Sequence, residues 1–240
     1  MSAPSPRPGS PLRGLRLALY RVLRRKTARL DGLTVLCDPA RVPRSVAAAI
    51  IKGGYELPER ELVRAAIRRG DRVVEVGAGV GIVGLVCTTL AGPGRVLSYE
   101  ANATLEPIIT ANYALNGLTP RLRLRAVTSD GAPVSFYRND NIVSSSVLDR
   151  GLAAQMVVVP SDALVTVLAE EGADVLVMDI EGAEIDLLSA TDLTGLREII
   201  VETHPHIVGA AATQAMVDAI LARGFTETGR VHKNIRLSRR

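Results

Sequence analysis

The stretch VVEVGAGVGIVG at residues 73–84 reads as an apolar strand that runs into glycines and then into a helix. Glycine lets the backbone turn sharply and lets a ligand lie against the main chain at a helix N-terminus. Open α/β sheets hold nucleotides at such a place. Outward from it, residues 72–76, 95–99, 122–127, 175–179 and 198–202 read as strands bounded by Gly, Asp or Pro. Between them, 82–90, 104–116, 161–170, 184–190 and 210–223 carry helical spacing, several opened by Thr, Ser or Asp. Strand and helix in alternation predict a parallel sheet covered on both faces. Residues 134–137 and 156–159 break the rhythm and predict an extra hairpin around a polar loop at 138–150. Residues 224–228 and 235–237 read as a closing pair. The expected fold is therefore α/β, doubly wound, with a mostly parallel sheet of about seven strands.

With 240 residues, 47% of them apolar and 22% charged, the chain holds one well-buried core and is short for two. The expected organisation is an extension at 1–30 and one domain at 31–240. Cys37 and Cys87 fit no metal or redox spacing, so a reducing, cytoplasmic setting is expected. No run approaches the roughly 18 apolar residues of a spanning helix. The first thirty residues hold eight bases, no acid and no apolar h-region, which argues against a cleaved secretory signal.

The net charge of +4 conceals an asymmetry, because residues 1–72 carry 16 basic and 6 acidic side chains. Residues 1–11, rich in Pro and Ser, are expected to be disordered. From 12 to 26, Leu12, Leu15, Leu19, Val22 and Leu23 share one helical face, with arginines mostly opposite. That face either packs on the domain or makes a weak peripheral membrane contact. An aromatic content of 3% with no Trp offers no stacking platform, so no nucleic-acid partner is expected.

Gly79, Gly81 and Gly84 match G-x-G-x-x-G, which keeps a nicotinamide or flavin dinucleotide enzyme open. Aligned instead on Gly77 and Gly79, directly after the strand, the third glycine position is taken by Ile82. An acid, Glu75, lies inside the strand. Glu100 ends the next strand, where a carboxylate can accept from both hydroxyls of a ribose. It would serve any cofactor that carries a ribose.

Farther along stand VLVMDIEGAEIDLL at 175–188 and REIIVETHP at 197–205. Together with Tyr55-Glu56, the glycine stretch, YEANATLEPIITANYALNG at 99–117 and Ala126-Val127, these blocks resemble the FkbM family of methyltransferases, in order, over residues 50–206. The D-x-E-G-A-E block is the most specific part. The resemblance implies a class I methyltransferase (Rossmann-like) fold and S-adenosylmethionine as cofactor. It also implies O-methylation of a sugar, polyketide or related natural product, a small-molecule or glycan acceptor with a hydroxyl. It carries over Glu75, Gly77, Gly79 and Gly81 as the loop on the methionine side, Glu100 as ribose ligand and Asp179 at the junction of cofactor and acceptor. Glu75 and Gly79 stand where the family commonly has Asp and Asn.

Asp179, Glu181 and Glu184 leave the C-terminal end of a buried strand, the edge where α/β sheets place their sites. Acids clustered there are costly unless solvated, paired or in use. Capping of the following helix is one such use. Glu202 and His204 end the next strand. His204, whose ordinary pKa suits proton transfer near neutrality, is the expected base, and Asp179 the group that orients the acceptor or the cofactor's ammonium. The reverse assignment is the alternative. An Asp/Glu/His set also suits a divalent cation, but no ligand spacing compels one and none is assigned. His206 and His232 have weaker cases. Two other functions stay open: an NAD(P)-dependent oxidoreductase, and a catalytically silent cofactor-binding partner module. Acceptor contacts are expected from residues 40–60 and 138–150.

Overall fold

The computed structural model describes residues 12–139 and 154–239. The expected disorder of 1–11 and most of the loop at 138–150 lie outside the described residues. The chain opens with helix α1 (Leu12–Val22), the hairpin β1 (Thr27–Leu30) and β2 (Leu33–Leu36), then α2 (Arg44–Ile51) and α3 (Leu57–Ala66). Next come β3 (Val73–Val76), α4 (Ile82–Ala91), β4 (Val96–Tyr99), α5 (Glu106–Ala114), β5 (Arg121–Arg123) and β6 (Ala126–Thr128). The predicted extra hairpin is present as β7 (Val134–Asn139) and β8 (Ala154–Val159). After β9 (Ser161–Ala163) follow α6 (Leu164–Glu171), β10 (Val175–Met178), α7 (Glu184–Ala190), β11 (Glu198–Glu202), α8 (Pro205–Val208), α9 (Ala210–Ala222), β12 (Thr226–Val231) and β13 (Asn234–Ser238).

The main sheet has seven strands in the order β12-β13-β11-β10-β3-β4-β5. Strands β11, β10, β3, β4 and β5 are parallel neighbours, while β13 runs antiparallel to both β11 and β12. Side chains alternate across the sheet with period two. Val74, Val76, Leu176, Met178, Ile199 and Val201 pack with Leu164, Leu187 and Ile220 on one face. Val73, Val175, Val177 and Ile200 pack with Leu62, Val63, Val83 and Val86 on the other. Both faces are buried, which is why the parallel strands read as continuous apolar runs.

Four sequence expectations need correction. The single strand expected at 122–127 is two, β5 in the main sheet and β6 paired with β9. Asp162 is the cause: it accepts from Arg123 Nη1 at 3.1 Å, Tyr99 Oη at 2.9 Å and Arg125 Nε at 2.8 Å, pinning the chain as it leaves the sheet. For the same reason residues 161–163, read as a first helical turn, are extended; the Ser161 hydroxyl donates to Ala132 O at 2.6 Å instead of capping α6. The boundary expected between residues 30 and 31 falls in the turn of the β1–β2 hairpin, whose Ala28 and Leu30 are buried in the core. Finally, α1 leans on the domain through Leu17 and Tyr20, while Leu15, Leu19, Val22 and Leu23 of the expected apolar face stand 51–79% exposed. No described helix is long and apolar enough to cross a membrane.

Candidate active site

β3 is the point where the strand order reverses, with β4 on one side and β10 on the other, and the glycine loop follows it directly. Gly77 has φ +94°, and a Cβ there would lie 1.9 Å from the carbonyl oxygen of Asp179. No side chain fits, because the loop crosses the end of β10 at backbone contact. Gly81, at φ +77°, is held to glycine by Ile109 of α5, 2.8 Å from its would-be Cβ. Gly79 N–H donates to Glu100 Oε2 at 2.8 Å, and Asn102 N–H to Glu100 Oε1 at 2.8 Å. Glu100 thus braces the loop with both oxygens, and the roughly four lone-pair sites of a carboxylate leave room for a further donor. Burial pushes its carboxyl up to about 7 against the pull of those amides.

Glu75 shares the parity of Val73 and therefore lies under α4, beside Ser98 of β4 and against Gly84. It is 2% exposed, and burial raises its carboxyl to about 7.

The ends of β10 and β11 bring Asp179 and His204 together. His204 is buried, its Nδ1 2.8 Å from Glu184 Oε1. Its Nε2 lies 3.4 Å from Glu202 Oε1, 3.5 Å from Asp179 Oδ1 and 3.9 Å from Glu181 Oε2. Burial opposes protonation, but the hydrogen bonds to Glu184 and Glu202 and the charges of Glu184 and Asp179 overcome it and lift His204 to about 10. Asp179 is pushed up to about 8 by burial and by Glu202, with His204 pulling the other way. Glu202, although burial resists ionisation, is held down at about 2 by His204, Lys233 and Asn234. Asp179 Oδ1 is buried with no hydrogen-bond partner among the described residues. Asp179, Glu184 and His204 offer ligand atoms within 4.8 Å of one another, a donor set suited to a small divalent cation.

A second wall comes from the turn before α3. Tyr55 is buried, and its Oη, 3.5 Å from the would-be Cβ of Gly79, has no hydrogen-bond partner among the described residues. Beside it, Glu56 adopts a left-handed conformation at φ +45°, as Glu181 does at φ +59°. Such conformations cost about 1–3 kcal/mol each and persist where the surroundings impose them. Arg60, fully buried, fixes the turn: its Nε donates to Tyr55 O at 2.8 Å, its Nη2 to Gly53 O at 3.0 Å, and it pairs with Asp31.

Gly77, Gly79, Gly81 and Glu100 at the loop and Asp179 and His204 beside it meet at this edge, whereas Glu75 lies within β3, buried under α4. His206 lies next to His204, with ring centroids 5.8 Å apart, whereas His232 sits in the β12–β13 turn. The sequence leaves Glu184 between a helix-terminal and a functional role, and the contact with His204 Nδ1 is a matter of tertiary structure. Sequence reasoning missed Arg60, for which no local pattern exists. Tyr55 and Glu56 were visible only through the resemblance.

The strand order, the glycine loop at the switch point and the acidic strand ends define a class I methyltransferase domain. The model of the methyltransferase FkbM domain matches residues 75–227, more than half of the chain, and the chain belongs to that family. The cofactor is S-adenosylmethionine, and the dinucleotide oxidoreductase is set aside. Two buried polar atoms with no hydrogen-bond partner among the described residues, Tyr55 Oη and Asp179 Oδ1, flank the loop, a lining whose chemistry fits a polar cofactor. A protein-L-isoaspartate O-methyltransferase of Methylorubrum populi is 32% identical over 112 residues, covering 42% of this chain and 52% of that protein. The chain thus spans about half the length of this relative. Among solved structures, the ribosomal protein L11 methylase of Lactobacillus delbrueckii subsp. bulgaricus has a TM-score of 0.45 at 17% identity, covering 76% of this chain and 77% of that one. Aeropyrum pernix fibrillarin with natively bound S-adenosyl-L-methionine has 0.42 at 12%, covering 88% and 81%.

Proposed function

We propose that the domain methylates a hydroxyl on a sugar, polyketide or other natural-product acceptor. The observation that carries this reading is the placement of Asp179, whose buried Oδ1 lies 3.5 Å from His204 Nε2 and whose backbone carbonyl stands against Gly77 of the cofactor loop. Bound S-adenosylmethionine supplies an electrophilic sulfonium methyl. The chain's tasks are to align the acceptor oxygen and to take its proton. With His204 held protonated by its carboxylates, the roles reverse the first expectation. Asp179 accepts the hydroxyl proton, and the His204 imidazolium, anchored from behind by Glu184, orients Asp179 and the acceptor. Glu100 holds the cofactor's ribose while bracing the loop, and Tyr55 closes the groove over Gly79.

A carboxylate acceptor, of the kind named for the Methylorubrum relative, is disfavoured because Asp179, Glu181 and Glu202 stand on the Nε2 side of His204, where it would enter. No nucleic-acid partner is proposed. The test is transfer of labelled methyl from S-adenosylmethionine to a panel of hydroxylated acceptors, with matched carboxylate and amine compounds. Asp179→Asn is expected to lower turnover by about 10²–10⁴ with affinity for S-adenosylhomocysteine nearly unchanged. Wild-type turnover in that variant removes Asp179 from the mechanism. Binding without transfer to any acceptor favours the silent module.

A further inference from the structure

Helix α1 presents a feature that methyl transfer does not use. Leu15, Leu19, Val22 and Leu23 follow at helical spacing, and they are 67%, 52%, 79% and 51% exposed. The helix touches the domain through other residues, Leu17 and Tyr20. Four large apolar side chains in one exposed stripe are unusual for a surface that meets only water.

Charge selects the occupant. No acid precedes Asp31 in the chain, and Arg24, Arg25 and Lys26 stand exposed at the end of this stripe. They also rim a cavity of about 660 Å³ between α1 and α2, with Leu17, Tyr20 and Ile51 in its apolar lining and Arg44 at its side. The one acid of that lining, Asp38, lies 3.6 Å from Lys26 Nζ. An apolar stripe flanked by bases suits a surface whose interior is hydrocarbon and whose headgroups are anionic. An acidic protein partner would satisfy the bases but leave the leucines without a reason, and a neutral apolar one would strand the bases.

We infer that α1 and the basic-rimmed cavity beside it form a docking face for anionic phospholipid membranes. Leu15, Leu19, Val22 and Leu23 enter the boundary between headgroups and acyl chains, and Arg24, Arg25 and Lys26 meet the phosphates, one of which the cavity receives. The other wall of the cavity, α2, leads through Gly53 into Tyr55 at the cofactor loop, so a single helix joins the docking face to the site. The inference stands apart from the choice of methyl acceptor, and its test needs no turnover.

The experiment is co-sedimentation of the full chain with vesicles of phosphatidylglycerol and phosphatidylcholine in equal parts, against phosphatidylcholine alone, at low and raised salt. Binding is expected only to the anionic vesicles and is expected to weaken with salt. Two paired variants address the two halves of the face. Arg24→Gln with Arg25→Gln should weaken binding about 30-fold, at about 1 kcal/mol per base near an anionic surface. Leu19→Gln with Leu23→Gln should weaken it at least tenfold. Both pairs are exposed, so binding of S-adenosylhomocysteine should be retained and reports an intact domain. Absence of binding to anionic vesicles, equal binding to neutral ones, or wild-type binding by both variants overturns the inference. So does displacement by free inorganic phosphate, which would mark an anion pocket, or binding of RNA with none to vesicles.

Discussion

Asp179 and His204 behave as one titrating unit, since each lies in the field of the other and of three further carboxylates. Asp179 keeps its proton to about pH 8 and His204 to about 10. A base must be deprotonated and an imidazolium protonated, so turnover should rise as pH climbs through about 8 and fall above about 10. The apparent values belong to the cluster and not to either residue alone. Asp179→Asn should abolish the rising limb, and a rate that declines from pH 7 upward would exclude Asp179 as base. Glu100 offers a second residue-scale test. Its two oxygens hold Gly79 and Asn102, so Glu100→Ala removes a loop brace together with the proposed ribose ligand. Affinity for S-adenosylhomocysteine, measured by calorimetry, should fall severalfold to about a hundredfold, the equivalent of charged hydrogen bonds at about 1.5–3 kcal/mol. Unchanged affinity would remove Glu100 from the cofactor site.

Between elements, the closest approach beneath the loop is that of β3 and α4. A Cβ on Gly84 would lie 2.2 Å from Glu75 Oε2 and 2.9 Å from Ser98 Oγ. In an open helix Gly→Ala gains about 1 kcal/mol of propensity. Here the overlap wins, and Gly84→Ala should destabilise the domain by about 1–3 kcal/mol in denaturant unfolding. In a Glu75→Ala background the same change should lose most of its cost, because the closer obstruction is gone and the Ser98 hydroxyl gains room to turn aside. Additive losses would show that the strand and helix are not coupled through this pair. The turn before α3 depends in the same way on Arg60. Removing its guanidinium in Arg60→Met leaves the carbonyls of Gly53 and Tyr55 without donors and Asp31 with Arg64 as its remaining partner, 2.7 Å away. A loss of about 1–3 kcal/mol is expected, the cost of leaving buried acceptors unsatisfied.

Across the whole molecule the buried acids set an unusual pH response. Glu75 and Glu100 keep their protons in the fold up to about 7, against an ordinary 4.5. The native state therefore binds more protons than the unfolded chain in that window, and stability falls as pH rises through it. His204, lifted from 6.5 to about 10, contributes stability that is complete below 6.5 and lost toward 10, the same direction. Glu202, held at about 2, opposes this only below its ordinary 4.5. The ligand-free protein should melt at a higher temperature near pH 5.5 than near pH 8, readable by calorimetry. A melting temperature that climbs over the same range would show that the acids are ionised in the fold.

The alternation of strand and helix, the glycines after β3 and the acids after β10 are local patterns, and a single sequence determined them: apolar periodicity dictates which residues enter the core whatever lies elsewhere. It placed Glu100, Asp179 and His204 at one edge because parallel strands deliver their C-terminal ends together. What only the tertiary structure decided are matters of distance in space. Residues 122–127 look like one strand until Asp162 reaches Arg123 and Arg125 from β9. The apolar stripe of α1 looks like a packing face until Leu17 and Tyr20 take the contact. His204 looks like a base near neutrality until Glu184, Glu202 and Asp179 surround it. Charge state depends on the sum of fields from groups far apart in the chain, and that sum exists only once the sheet has brought them within a few ångströms.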